Sequence, residues 1–118
     1  MQKLNDITMI SAVSDCIEQD GFRVGIYTGT YAGRNAILSN ITNGMNETER
    51  AAVLRTINST STAVIEFKNG SIIRVLGASE NTRGHAFYKV LYEGDIDKDI
   101  LNNVVRHTEK LKRTKGGE

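Results

Sequence analysis

A β-hairpin pattern in the middle of the chain places the strongest constraint on its fold. Two apolar runs rich in β-branched residues, 62–67 and 71–76, flank the turn Lys68-Asn69-Gly70. Asn and Gly accept the left-handed backbone conformations that tight hairpin turns require. The sequence therefore predicts two antiparallel strands joined by this turn.

Helical and strand-like patterns alternate outside the hairpin. In the first helical pattern, Ile7, Ile10 and Val13 recur at three-residue steps and predict one apolar face. Asn46 and Glu49 match a capping box and predict the start of another helix. Such alternation favours an α/β fold with a small mixed sheet and flanking helices. The predicted helices cover residues 4–21, 30–41, 46–57 and 96–111, and the further strands cover residues 22–28 and 87–92.

Length and composition favour one domain. The chain has 118 residues, no proline and one cysteine, so we expect a single α/β domain over residues 1–113 and a disordered tail over residues 114–118. Cys16 lies in a helical apolar pattern and is predicted to be a small core residue, although a nucleophilic pair with His85 or His107 stays open. The sequence contains no secretory signal or membrane-length apolar run, which predicts a cytoplasmic protein.

Charge is unevenly distributed, although the formal net charge is only +1. Acids cluster over residues 93–99 and bases over residues 106–115. The simpler interpretation is that these acids and bases complement the dipole of the last helix. The alternative is weak nucleic-acid contact through the basic C-terminal helix, for which Arg106, Lys110 and Arg113 are the candidates.

The sequence contains partial matches to two ligand-binding motifs. Gly25, Gly29 and Gly33 lie between a predicted strand and a predicted helix, with Arg34 beside them, where backbone amides could hold an anion. The phosphate-loop pattern Gly-x-x-x-x-Gly-Lys-Ser/Thr does not occur. These glycines therefore indicate either a tight strand-to-helix turn or a small nucleotide-binding turn. The acidic run from Asp95 lacks the glycine and glutamate of a calcium loop, so no metal site is predicted.

Most of the chain, from about the first helix to the last, resembles the ATPase domain of bacteriophage large terminases, and residues 67–93 carry the specific part of the resemblance. The hairpin turn reads Phe-Lys-Asn-Gly-Ser, Ser79 and the pair Arg83-Gly84 follow it, and the next apolar strand ends on Glu93. The resemblance implies a truncated P-loop ATPase core in which Glu93 stands at the position of a magnesium-binding acid. It also implies that Arg83 could reach the phosphate of a neighbouring subunit.

Departures from that family determine the functional prediction. The phosphate-binding loop is missing, Gly94 stands where a second catalytic acid is expected, and no nuclease domain follows. Each of these parts contributes orders of magnitude to phosphoryl transfer, so we expect no enzymatic activity and no cofactor. The resemblance implies instead a phage-encoded interaction protein of the host cytoplasm. It would inhibit or modulate a nucleic-acid-processing machine such as a host defence (CRISPR) effector.

Two alternative functions stay open, namely a split or decoy subunit of the DNA-packaging motor and a small nucleotide-binding module. Loss of a central strand would expose a sheet edge, which favours a homodimer or a docked protein partner. The candidate binding residues are Arg83, Glu93, Arg34, Arg106, Lys110 and Arg113.

Overall fold

The computed structural model describes residues 1–79 and 85–111, in which six strands form one mixed sheet. The last helical stretch begins at Lys98 and continues without a break into a π-helical turn and a 3₁₀ turn. In chain order the elements are β1 Gln2–Lys3, α1 Asp6–Glu18, β2 Arg23–Thr28, α2 Tyr31–Gly44, α3 Glu47–Ala51, β3 Val53–Asn58, β4 Ala63–Phe67, β5 Ile72–Gly77, β6 Lys89–Tyr92, α4 Lys98–Ile100, the π-helical turn Leu101–Val105 and the 3₁₀ turn Arg106–Thr108.

The sheet order is β1-β6-β2-β5-β4-β3. Strands β1, β6, β2 and β5 are parallel neighbours, whereas β4 is antiparallel to β5 and β3 is antiparallel to β4. Helix α1 connects β1 to β2, helices α2 and α3 lie between β2 and β5, and the hairpin adds the antiparallel part of the sheet. The predicted α/β class, with a mixed sheet and flanking helices, is confirmed.

Each face of the sheet buries its own apolar cluster because successive side chains on a strand point to opposite faces. On β2, Val24 and Ile26 pack under α1 and α2, whereas Tyr27 points to the other face and packs with Val105 of the C-terminal stretch. Cys16 is fully buried in the first cluster, which confirms the prediction of a core cysteine.

The hairpin turn also fastens α1 to the start of β2. The Asn69 side-chain amide donates to carbonyl oxygens at the end of α1, and Ser71 Oγ donates to the Gln19 carbonyl at 2.7 Å. The Phe22 amide donates to Ser71 Oγ at 2.9 Å, and Ser71 is 1% exposed. Gly70 has φ +86°, a conformation that favours glycine. The predicted hairpin is confirmed, and its Asn-Gly-Ser sequence has a clear structural use.

The predicted helix over residues 46–57 is wrong after Ala51. The capping box of Asn46 and Glu49 is present, but the helix that it starts has only five residues. Strand β3, Val53–Asn58, follows and pairs with β4. Val53 and Ile57 are four residues apart, which fits a helix, but their β-branched side chains also fit a strand. Pairing with β4 satisfies the backbone of this segment and decides between the two.

The predicted final helix ends three residues early. Helical backbone stops at Thr108, and Leu111 is 95% exposed. The backbone turns extended at Glu109, where it forms a parallel bridge with Phe87. The Lys110 amide donates to the Phe87 carbonyl at 2.6 Å, so strand pairing replaces the last helical turn. Within the described residues, no helix is both long and apolar enough to cross a membrane.

Candidate functional site

The carboxyl ends of β2 and β6 form the position where ligands bind in many open α/β sheets. These strands are parallel neighbours, but the chain leaves β2 toward the face covered by α1 and α2 and leaves β6 toward the opposite face. Loops that diverge in this way open a crevice at the sheet edge. Thr28 and Glu93 lie at the two strand ends that border it.

Hydroxyl and carboxylate oxygens fill the space at the start of α2. Thr30 caps this helix by accepting a hydrogen bond from the Gly33 amide at 3.2 Å. A methyl group built on Gly33 would lie 2.7 Å from Thr28 Oγ1, 3.1 Å from Thr30 Oγ1 and 3.6 Å from Glu93 Oε1. Gly33 is therefore required by close packing of these oxygens against the first turn of α2.

The position of Glu93 changes what this crevice can hold. The N-terminus of a helix carries partial positive charge and attracts anions. Here the Glu93 carboxylate already lies beside that end of α2, and a phosphate placed there would face a negative charge. Within residues 1–79 and 85–111, no three acidic, histidine or cysteine side chains are close enough to share a metal ion.

Gly25 is explained by packing as well. A methyl group at this position would lie 2.3 to 2.7 Å from three carbons of the Phe87 ring, which is fully buried. A methyl group at Gly29 would make an ordinary contact, 3.5 Å from the Asp95 carbonyl oxygen. Close packing at Gly25 and Gly33 favours the strand-to-helix interpretation of the glycine run.

Arg34 forms hydrogen bonds that link two elements of the fold. It is 7% exposed, and its guanidinium donates to the carbonyl oxygens of Thr60 and Ser61 in the turn between β3 and β4. These contacts fasten α2 to that turn. Ligand binding by Arg34, which would require it to leave these carbonyls, stays a prediction.

The other predicted binding residues are dispersed. Arg106 is exposed and donates to Asn102 Oδ1 at 3.3 Å. Lys110 is exposed and borders a small cleft near His85. Glu93 lies at the crevice and forms no described contact with Arg106 or Lys110. Arg83 and Arg113 lie outside the described residues.

The environment of Cys16 opposes a nucleophilic function. Burial, and secondarily the nearby Asp15 carboxylate, raises the pKa of the thiol to about 12. A thiol reacts as its thiolate, so Cys16 would stay protonated at neutral pH. A Cys16–His pair is therefore disfavoured.

A groove between α1, α2 and α3 was missed by the sequence analysis. Its volume is about 460 Å³, its floor includes the buried residues Ile41 and Met45, and Ile10 lies at its side. Asp6 and Glu49 are the charged residues among those that line it. Its full lining is Asp6, Met9, Ile10, Asn40, Ile41, Gly44, Met45, Asn46 and Glu49.

Two exposed isoleucines on α1 extend the apolar surface at this groove: Ile10 lines it, and Ile7 lies one turn earlier on the helix. Ile10 is 66% exposed and Ile7 is 79% exposed, although both were predicted to share the buried face of α1 with Val13. At about 100° per residue, Ile10 lies about 60° and Ile7 about 120° round the helix from Val13. The buried face is instead centred on Ala12, Val13 and Cys16, a spacing that the sequence also contains.

A scan against family models, a search of curated proteins and a search of solved structures found no match to this chain.

Proposed function

We propose that this chain is a non-enzymatic interaction protein that binds an amphipathic helix of a partner protein in the groove between α1, α2 and α3. The observation that carries the proposal is the exposure of Ile7 and Ile10, 79% and 66%, beside a groove with an apolar floor. Single exposed apolar side chains are normal on protein surfaces. Two that are neighbours at i and i+3 and adjoin a groove of this size are typical of a docking surface.

Charge complementarity indicates the chemistry of the occupant. Asp6 and Glu49 line the groove, and no lysine or arginine is among the described residues that line it. A helix in a groove is recognised by apolar side chains at three- and four-residue steps. The occupant that fits best is a helix whose apolar stripe is flanked by lysine or arginine.

The carboxyl edge of the sheet supports a non-enzymatic function. The Glu93 carboxylate lies beside the helix end where a phosphate would otherwise bind, and Gly94 follows it in place of a second acid. Both features disfavour phosphoryl transfer at this position. Together with the terminase resemblance, they favour a partner within a nucleic-acid-processing machine. A host defence effector is the first candidate, and a packaging motor is the alternative.

The edge strand β3 is a less favourable docking surface. A β-bulge interrupts its pairing between Val53 and Arg55, and Arg55 forms an ion pair with Glu66 at 2.9 Å. Bulges and charged side chains are features that protect sheet edges from further pairing. The predicted homodimer through an open edge stays a prediction, which light scattering over a wide concentration range would test.

Capture from phage-infected host lysate tests the proposal with three baits. These are the native chain, the double variant Ile7→Ser/Ile10→Ser, and Leu54→Ser, which removes an exposed leucine from β3. We expect a salt-resistant partner on the native and Leu54→Ser baits that is lost from the double variant. The isoleucines are exposed, so the double variant should keep the native melting temperature. Equal capture by all three baits, or loss only with Leu54→Ser, would reject the groove.

A further inference from the structure

A positively charged surface lies on the face of the sheet opposite the groove and is built around the Phe87 ring. The ring is fully buried over Gly25, and the His85 imidazole stacks on it with centroids 5.8 Å apart and planes 11° apart. The Arg23 guanidinium carbon lies 5.6 Å from the ring centroid, and Arg23 Nε donates to the Ala86 carbonyl at 3.0 Å. Aromatic and backbone contacts thus hold two cation-forming side chains in place.

Arg74 adds a third group from the neighbouring strand. In the register of β2 and β5 it stands beside Gly25, the residue over which the Phe87 ring lies. Burial lowers the pKa of His85, and the positive charges of Arg74 and Arg23 lower it further. Both arginines are therefore close enough for their fields to reach the imidazole.

The C-terminal segment brings further cation-forming residues to His85. The Phe87 amide donates to the Thr108 carbonyl at 2.8 Å, and Phe87 accepts from the Lys110 amide at 2.6 Å. These two bonds hold the segment beside Phe87. A cleft of about 280 Å³ results, and it is lined by His85, Ala86, Asn103, Val104, His107, Thr108 and Lys110.

The carboxylates of Glu109 and Glu66 are already paired with positive groups. No acidic residue is among the described residues that line the cleft. Glu109 accepts a hydrogen bond from the Val90 amide and pairs with the N-terminal amine. Glu66 on β4 is paired with Arg55. Among the described residues, Arg23, Arg74 and Lys110 form no ion pair.

We propose that this surface, comprising Arg23, Arg74, His85, His107 and Lys110, binds the phosphate backbone of a single-stranded nucleic acid. The cleft of about 280 Å³ has room for a phosphate group, and His85, His107 and Lys110 supply cation-forming side chains in its lining. Arg23 and Arg74 lie outside the cleft but within electrostatic reach of His85, where further phosphates of an extended chain would pass. This surface shares no residue with the groove of α1, so the two proposals can fail separately.

Affinity for a fluorescently labelled single-stranded oligonucleotide, measured by anisotropy at several salt concentrations, tests the proposal. Three permanent cations predict a slope of log affinity against log salt of about −2. A fourfold rise in salt should then weaken binding about 16-fold. Arg74→Gln should reduce the slope to about −1.4 and weaken binding about 8-fold at about 50 mM salt.

Two further variants make the result decisive. Arg50→Gln removes the same charge from α3, on the opposite face of the sheet, where the arginine donates to the backbone carbonyls of Met45 and Asn43, and it should bind the oligonucleotide as the native chain does. Lys110→Gln changes an exposed side chain, whereas the hydrogen bond to the Phe87 carbonyl comes from the Lys110 backbone amide. The variant should therefore weaken binding without loss of folding. Melting temperatures establish that each variant is folded.

The proposal is overturned by any of three results. The first is no binding at low salt. The second is an equal loss for Arg50→Gln and Arg74→Gln. The third is binding to anionic lipid vesicles without binding to the oligonucleotide, which would identify a membrane surface as the ligand instead.

Discussion

Replacing Gly25 by alanine tests the packing on which the second sheet face depends. The added methyl group would lie 2.3 Å from the nearest carbon of the Phe87 ring. Contact between carbon atoms is optimal at about 3.5 Å or more, so the ring and the strand have to separate by about 1.2 Å. The ring is fully buried, and the Phe87 amide and carbonyl are both hydrogen-bonded, which restricts that movement.

Two opposing effects set the magnitude. Overpacking a buried site costs about 1–3 kcal/mol, whereas alanine in place of glycine gains about 0.4–1 kcal/mol by restricting the unfolded chain. Because three ring carbons lie within 2.7 Å of the new methyl group, we expect a net loss of about 2 kcal/mol. With about 2.1 cal/mol/K of unfolding entropy per residue over 118 residues, this loss lowers the melting temperature by about 8 °C.

Urea denaturation followed by circular dichroism measures this change in the free energy of unfolding, and two comparison variants test its cause. Gly44→Ala places a methyl group at the end of α2, where no atom lies within 4 Å, and should raise stability by about 0.4–1 kcal/mol. In a Phe87→Leu background, Gly25→Ala should cost at least about 1 kcal/mol less than in the native chain, because contacting residues couple. A neutral effect of Gly25→Ala, or the same cost in both backgrounds, would refute the packing argument.

Three further predictions concern single side chains. Ser71→Ala leaves the buried amide of Phe22 without its acceptor and should lower the free energy of unfolding by about 1–3 kcal/mol in urea titrations; an unchanged midpoint would contradict this role. His85 has a lowered pKa, so the folded state binds fewer protons than the unfolded state, and stability from this residue is lost as pH falls below the ordinary value of 6.5. Between about pH 7.5 and about pH 5, His85→Gln should therefore lose less melting temperature than the native chain, with His107→Gln as the comparison. Glu93→Gln removes a charge beside the start of α2 and should lower stability by about 0.3–1 kcal/mol at low salt; an effect that does not shrink at high salt would exclude a dipole interaction.

The local sequence was sufficient to predict an element wherever residues close together in the chain provide the turn or capping contacts that the element needs. The Lys68-Asn69-Gly70 turn predicted its hairpin because the left-handed residue and the flanking β-branched runs lie within a few positions. The capping box of Asn46 and Glu49 likewise predicted the start of α3. Its length could not be predicted, because the strand character of residues 53–58 depends on β4, which lies later in the chain.

The candidate sites depended more strongly on tertiary structure. Glu93 was identified from its place after an apolar strand, but its position beside α2 follows from the pairing of β2 with β6. Arg23, Arg74 and Lys110 are far apart in sequence. The Phe87 ring contacts Arg23, the pairing of β2 with β5 places Arg74 beside Gly25, and a backbone hydrogen bond to Phe87 holds Lys110 on the same face. Spacing along a chain does not encode such a convergence.

Periodicity and turn chemistry are local properties, so the α/β class, the hairpin, the buried cysteine and most helix starts could be predicted from neighbouring residues. Which face of α1 is buried depends on the tertiary structure, and the packing leaves Ile7 and Ile10 exposed. The tertiary structure also decided that Gly25 and Gly33 serve close packing. The physical reason is that burial and close approach are set by the elements that pack together, and those elements come from distant parts of the chain.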